Sequence, residues 1–126
     1  FLNVKLKYIQ DDIENRRKVA DYYLNNIKNE NIILPTLIEE EGHVWHLFVI
    51  RTENRNRLQE YLKDNDVETL IHYPIPIHHQ EAYKEYFKII LPTAEKIHSE
   101  VISIPLYPNI KDSDLAHIVD LLNSYK

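Results

Sequence analysis

The sequence predicts an α/β (α+β) domain in which helices cover a small, mostly antiparallel or mixed sheet. Three observations predict it. The N-terminal segment carries an apolar stripe at helical spacing. Residues 44–50 are an almost continuous apolar run. The elements that follow alternate between helical and extended patterns, in the order α, β, β, α, β, α, α, β, α.

Residues 1–29 read as one long helix. Leu2, Leu6, Ile9, Ile13, Ala20, Leu24 and Ile27 recur mostly every three or four positions, with a break at Arg16 and Arg17 where a core residue is expected. Residues 31–126 then hold the sheet and its other helices in a single domain, with no repeat or low-complexity tract. Ile32, Ile33 and Leu34 before Pro35 predict a short edge strand. Glu39-Glu40-Glu41-Gly42 predicts a charged turn. Val44 to Ile50 predicts a central strand buried on both faces, with His46 a core histidine.

Thr52 is the expected N-cap of a helix over residues 53–63 that buries Leu58, Tyr61 and Leu62. Asn65 and Asp66 end it, since both tolerate a left-handed backbone. Residues 67–71 read as a strand. Residues 80–87 read as a short helix with Ala82, Tyr83 and Phe87 packed. Pro92 suits the first position of a helix to Glu100 that buries Ala94 and Ile97. Residues 101–106 read as a strand. Residues 112–125 read as the closing helix, with Leu115, Ile118, Val119 and Leu122 inward and Asp112 and Asp114 at its positive end.

Composition removes several function classes. The chain has 126 residues, 44% of them hydrophobic, 28% charged, and none of them cysteine. Disulfide frameworks, zinc-thiolate sites and cysteine nucleophiles are therefore excluded. Gly42 is the one glycine, so a glycine-rich phosphate loop cannot be built. The net charge is −5 and the basic residues are scattered, which argues against a nucleic-acid partner. No apolar run approaches the about 20 residues that span a bilayer, and a cytoplasmic protein is expected. The chain starts at Phe1 and contains no methionine, which reads as one domain of a longer polypeptide.

The segment Ile71-His72-Tyr73-Pro74-Ile75-Pro76-Ile77-His78-His79-Gln80 is the candidate functional loop. Residues before proline are driven out of the α region, so Pro74 and Pro76 make it stiff. Imidazoles and a phenol on a stiff loop can hold a ligand, although a solvated turn would look the same. No metal-ligand spacing of the HExxH kind is present, so no metal site is expected. Arg51 reads as a surface ion pair or a ligand clamp, and His98 and His117 as surface residues. The serines lack a glycine-flanked elbow. No catalytic set is complete within the chain.

The motifs together resemble the C-terminal (small) domain of the DegT/StrS family of nucleotide-sugar aminotransferases. The resemblance rests on Phe1 to Tyr8, Asn15-Arg16-Arg17, Ala20 with Tyr22-Tyr23-Leu24, His43 to Val49, Thr69 to Pro76 with His78, Gln80, Ala82 and Tyr83, Leu91 to Glu95, and Ser103 to Leu106 with Pro108. It implies the small domain of a fold-type I aminotransferase that uses pyridoxal phosphate. The cofactor lysine, the aspartate on its ring nitrogen and most of the cofactor site would lie in an N-terminal large domain outside this chain, which alone should be inactive. The resemblance further implies a homodimer that moves an amino group from glutamate to a nucleotide-linked keto-deoxysugar, with a motif closest to members making 3-amino-3,6-dideoxy sugars on thymidine diphosphate. In that reading His72, Tyr73 and His78 are substrate-binding residues, with His78 at the outer edge of the cleft, and Pro74 and Pro76 hold them rigid.

Three positions depart from the family's pattern. Asp66-Val67 replaces a common Gly-Ile, Ile77 replaces a third proline, and Lys111 replaces a Ser or Thr cap, the last costing about 1 kcal/mol. Set beside this is a non-catalytic interaction or sugar-binding module.

Overall fold

The computed structural model describes residues 2–39 and 42–126. Its helices are α1 (Leu2–Lys5), α2 (Ile9–Asn26), α3 (Arg55–Asp64), α4 (Pro92–Glu100) and α5 (Asp112–Ser124), and its strands are β1 (Phe48–Arg51) and β2 (Val101–Ile104). The turns Ile77–His79 and Glu81–Tyr86 are 3₁₀. Phe1 and two residues of the expected 39–42 turn lie outside the described residues.

Strands β1 and β2 pair antiparallel, with Phe48 opposite Ile104 and Val49 opposite Ser103. Single bridges extend the sheet on both sides, Ile33 to Arg51 and Leu70 to Ser103, both antiparallel. The expected strands around residues 32–34 and 67–71 shrink to these one-residue rungs. Strand parity places Phe48, Ile50, Ile102 and Ile104 on one face. There they join Tyr23 of α2, Leu58 and Leu62 of α3, and Leu115, Val119 and Leu122 of α5 in one buried cluster. Val49, Arg51, Val101 and Ser103 occupy the opposite face.

The run at 44–50 is a strand only from Phe48 onward, and Trp45 is the reason. Its φ is 47°, which reverses the chain. The indole drops into the core at 2% exposure, stacked 5.3 Å from Phe48 and covered by His43 at 4.0 Å. A left-handed non-glycine residue costs roughly 1–2 kcal/mol, less than the roughly 3–5 kcal/mol a buried indole is worth. His46 is then exposed, not a core residue. Nor is β1 buried on both faces, since Val49 and Arg51 are half-exposed; β2 is the fully buried strand.

The interruption of the α2 stripe at Arg16 and Arg17 has its explanation in the same place. Arg16 Nη1 donates to the carbonyls of Trp45 (3.2 Å), His46 (3.3 Å) and Leu106 (3.3 Å), and Arg17 Nε to that of His43 (3.3 Å). The two guanidiniums satisfy an irregular segment that has no ladder partners.

The expected single helix over residues 1–29 is two helices, and α2 ends at Asn26. Leu2, Val4, Leu6, Tyr8 and Ile9 are 49–72% exposed, so no packing holds the first turns in register with α2. At the other end buried Ile27 turns extended, at φ −77° and ψ 119°. Asn123 accepts from Lys28 N–H (2.7 Å) and donates to Asn26 O (2.9 Å), while Asn29 donates to Leu122 O (2.8 Å) and Tyr125 O (2.7 Å). Each helix end is thus capped by an asparagine on or beyond the other.

Thr52 is not the N-cap of α3; that residue is Asn54. Thr52 is buried because its N–H donates to Glu100 O at 3.1 Å. Helix α4 passes into β2 without a loop, and its last carbonyls need outside donors. Thr52 supplies one, and Arg55 Nη1 reaches His98 O (3.4 Å) and Val101 O (3.3 Å). Arg51 Nη2 meets Glu100 Oε2 at 2.6 Å, the ion-pair outcome of the two weighed for it.

Helix α3 ends as its sequence predicts. Asp66 has φ 62°, its N–H bonds Lys63 O (3.1 Å), and Val67 N–H bonds Leu62 O (2.9 Å), the two bonds of a Schellman end. The segment 81–93 departs most from expectation. Ala82, Tyr83 and Phe87 are exposed, not packed, and Ile97 is 38% exposed beside a half-buried Ala94.

Two predictions follow from this packing. Asp66→Gly should raise stability by about 1 kcal/mol in urea denaturation, because glycine takes the left-handed end without Cβ strain. The Glu100 carboxyl lies below its ordinary value of 4.5, chiefly through its hydrogen bond from Arg51. A carboxyl lowered by folding stabilises above its unfolded value and loses that contribution as pH falls through the lower folded one. The urea midpoint should therefore fall as pH drops below the ordinary value of 4.5, and Glu100→Gln should flatten that fall while lowering stability at neutral pH.

Candidate functional site

The loop of residues 71–80 begins beside β2, with His72 on the sheet face opposite the core. Ser103 exchanges backbone bonds with Leu70 (2.7 and 3.1 Å), and two residues later His72 Nδ1 sits 2.9 Å from Ser103 Oγ. Ser103 is 5% exposed and His72 half-buried, so the imidazole is fixed at one nitrogen by a buried hydroxyl.

Tyr73 projects the other way. Its ring is 67% exposed and meets the His72 ring edge-on at 5.5 Å and 88°. Its carbonyl accepts from His98 Nδ1–H at 2.6 Å, which anchors the loop to α4. Pro76 is extended at φ −56° and ψ 147°, and Gln80 Nε2 closes the bend by donating to Ile75 O at 3.5 Å. Proline restrains the backbone at and before positions 74 and 76, and these bonds add further restraints.

His78 is paired within the domain. It is 8% exposed, and its Nε2 lies 3.2 Å from Glu95 Oε1 in α4. The same oxygen accepts Leu91 N–H at 2.9 Å. That backbone donor first, and His78 second, hold the Glu95 carboxyl below the usual carboxylate range. His79 is exposed and follows directly, its ring 4.1 Å from that of His78.

Two concavities flank the loop. His72 and Ser103 open on a groove of about 1180 Å³ that Gln59, Lys63, Asp114 and His117 also line. Pro76, His78, Tyr83, Tyr86 and Leu91 enclose a smaller, apolar one of about 440 Å³. The prolines, His72 and Tyr73 fall together as read from the sequence; His78 belongs to a separate cluster. Ser103, Glu95 and His98 were missed. Strand alternation would have put Ser103 on the Val49 face, but nothing in the sequence pairs it with His72.

The arrangement can hydrogen-bond and orient a ligand, and the Ser103 hydroxyl beside His72 is buried on β2. A pyridoxal phosphate site does not fit these residues. Every lysine of the chain is exposed, whereas a Schiff-base lysine must be enclosed with its cofactor, and no glycine-rich turn is present to cradle the phosphate. Among the described residues no helix is long and apolar enough to cross a membrane.

Comparison with known proteins gives a consistent answer. The profile of the DegT/DnrJ/EryC1/StrS aminotransferase family matches residues 1–123. The chain is 46% identical over 124 residues to a dTDP-3-amino-3,6-dideoxy-alpha-D-galactopyranose transaminase of Aneurinibacillus thermoaerophilus, covering 98% of this chain and 34% of that protein. It is 30% identical to a dTDP-3-amino-3,4,6-trideoxy-alpha-D-glucose transaminase of Streptomyces venezuelae, with the same coverage. The chain thus spans about a third of the length of these relatives. Among solved structures, S. venezuelae DesV superposes with a TM-score of 0.89 at 30% identity, over 97% of this chain and 34% of that one. The ntda protein of Bacillus subtilis, solved with bound cofactor pmp, gives 0.78 at 30% identity over 88% and 27%. The fold read from the sequence, helices over a small antiparallel sheet, is that of the corresponding part of these aminotransferases. Motifs, fold and profile agree, and the chain belongs to the DegT/DnrJ/EryC1/StrS aminotransferase family.

Proposed function

We propose that this chain is the small, C-terminal domain of a pyridoxal-phosphate-dependent aminotransferase that passes an amino group from glutamate to a nucleotide-linked keto-deoxysugar. Thymidine diphosphate is the favoured nucleotide, given the names of the two relatives above. The cofactor, when bound by the rest of the protein, supplies the electron sink. This domain supplies one wall of the substrate cleft. The full protein is a cytoplasmic homodimer in this reading.

One observation carries the proposal. The loop presents Tyr73 to solvent beside an imidazole held at one nitrogen by Ser103. Such a loop binds at low entropic cost and orients without reacting. His72 and Tyr73 contact the sugar. His78 does not touch it, because its reach is taken up by Glu95; together with the prolines it keeps the loop in place. A second observation concerns the missing large domain. Leu2, Val4 and Leu6, and separately Ile89, Ile90 and Leu91, leave large apolar side chains 43–77% exposed. Apolar sets of this kind mark surfaces that another body covers.

In the full-length protein His72→Asn and Tyr73→Phe should each lower turnover of the sugar substrate by about 10- to 100-fold, the scale of a lost positioning contact. The cofactor's visible absorbance should not change. Unaltered kinetics in both variants would remove the loop from the active site.

A further inference from the structure

We propose that His78, His79 and Glu95 form a binding site for a divalent transition-metal cation, Zn²⁺ foremost. One ligand atom from each residue lies within 4.8 Å of the other two. The pair His78 Nε2 and Glu95 Oε1 stand 3.2 Å apart. Donors about 2.0–2.1 Å from one tetrahedral ion are separated by about 3.3 Å, so this pair already has the spacing of two ligands of a single cation.

The support around the donors fits the same purpose. Glu95 is oriented by the Leu91 N–H on the oxygen that faces His78, the kind of outer hydrogen bond that holds a ligating carboxylate. His78 is buried and placed by the 3₁₀ turn Ile77–His79 directly after Pro76. His79 is exposed at the end of that turn, its ring tilted 49° to that of His78 at 4.1 Å, and it has to close by only an ångström or so. A hydrogen-bonded His–Glu pair needs one imidazole; the second beside it completes a three-ligand set.

Ligand chemistry selects the ion. Two imidazoles and one carboxylate suit Zn²⁺, Co²⁺ or Ni²⁺, whereas Mg²⁺ and Ca²⁺ prefer oxygen alone. Three protein ligands leave the fourth position to water or an exogenous donor. The bound ion would tie the 3₁₀ turn to α4 and so fix the distal end of the loop that carries His72 and Tyr73. The site is independent of the aminotransferase reading, because it uses neither of those residues.

The test is calorimetric titration of chelator-treated, untagged full-length protein with Zn²⁺, with thermal unfolding as a second readout. One Zn²⁺ per chain should bind at this site and raise the unfolding temperature, and Mg²⁺ at equal concentration should do neither. His79→Ala spares the His78–Glu95 pair and so should fold; it should weaken this binding by at least about tenfold, as should Glu95→Gln. Co²⁺ should give the visible absorption of a tetrahedral nitrogen–oxygen site, lost in His79→Ala. No Zn²⁺ binding, or binding of equal affinity in wild type and His79→Ala, would overturn the proposal.

Discussion

Strand β2 is four residues long, and all four are buried. The other parts of the domain are arranged to make that burial tolerable. A buried strand must find partners for its backbone on both sides. Val101 to Ile104 find β1 on one side and Leu70 on the other. Helix α4 enters β2 with no intervening turn, so the terminal carbonyls of a helix and the first rung of a sheet crowd the same few ångströms. Thr52 and Arg55, from just after β1, supply donors to these carbonyls, and Arg51 at the end of β1 pairs with the Glu100 carboxylate. Two of the basic residues that look scattered in the sequence, Arg51 and Arg55, thus serve one structural problem.

The same strand organises the site. Because Ser103 faces away from the core, its hydroxyl is available to His72 while its backbone holds Leu70. The loop is therefore anchored at its origin by the sheet, at its middle by His98 and at its far end by the pairing of His78 with Glu95. Three anchors on two adjoining elements, α4 and β2, explain how ten residues with little regular structure can hold two side chains in a fixed relation. Rigidity here comes from hydrogen bonds as much as from proline.

The exposed apolar residues belong to the same picture. The core is closed by α2, α3 and α5, yet α1 and the segment 81–91 leave isoleucines, leucines and aromatics in solvent. Local helix propensity does not keep the first turns continuous with α2, because none of the described residues of α1 is buried.

The sequence by itself determined whatever depends on local pattern. The inward faces of α3 and α5, the left-handed end at Asp66 and the family motif were all legible, because periodicity and backbone preference act over a few residues. Tertiary structure decided what depends on distant partners. The apolar run at residues 44–50 could not disclose that Trp45 would turn the chain and leave His46 in solvent, since that required guanidiniums from α2. Thr52 looks like a cap until a carbonyl from α4 claims its N–H. His78 looks exposed on its loop until Glu95, 17 residues on, is brought against it. Side-chain type sets what a residue can bond, but only the packed chain sets which partner arrives first.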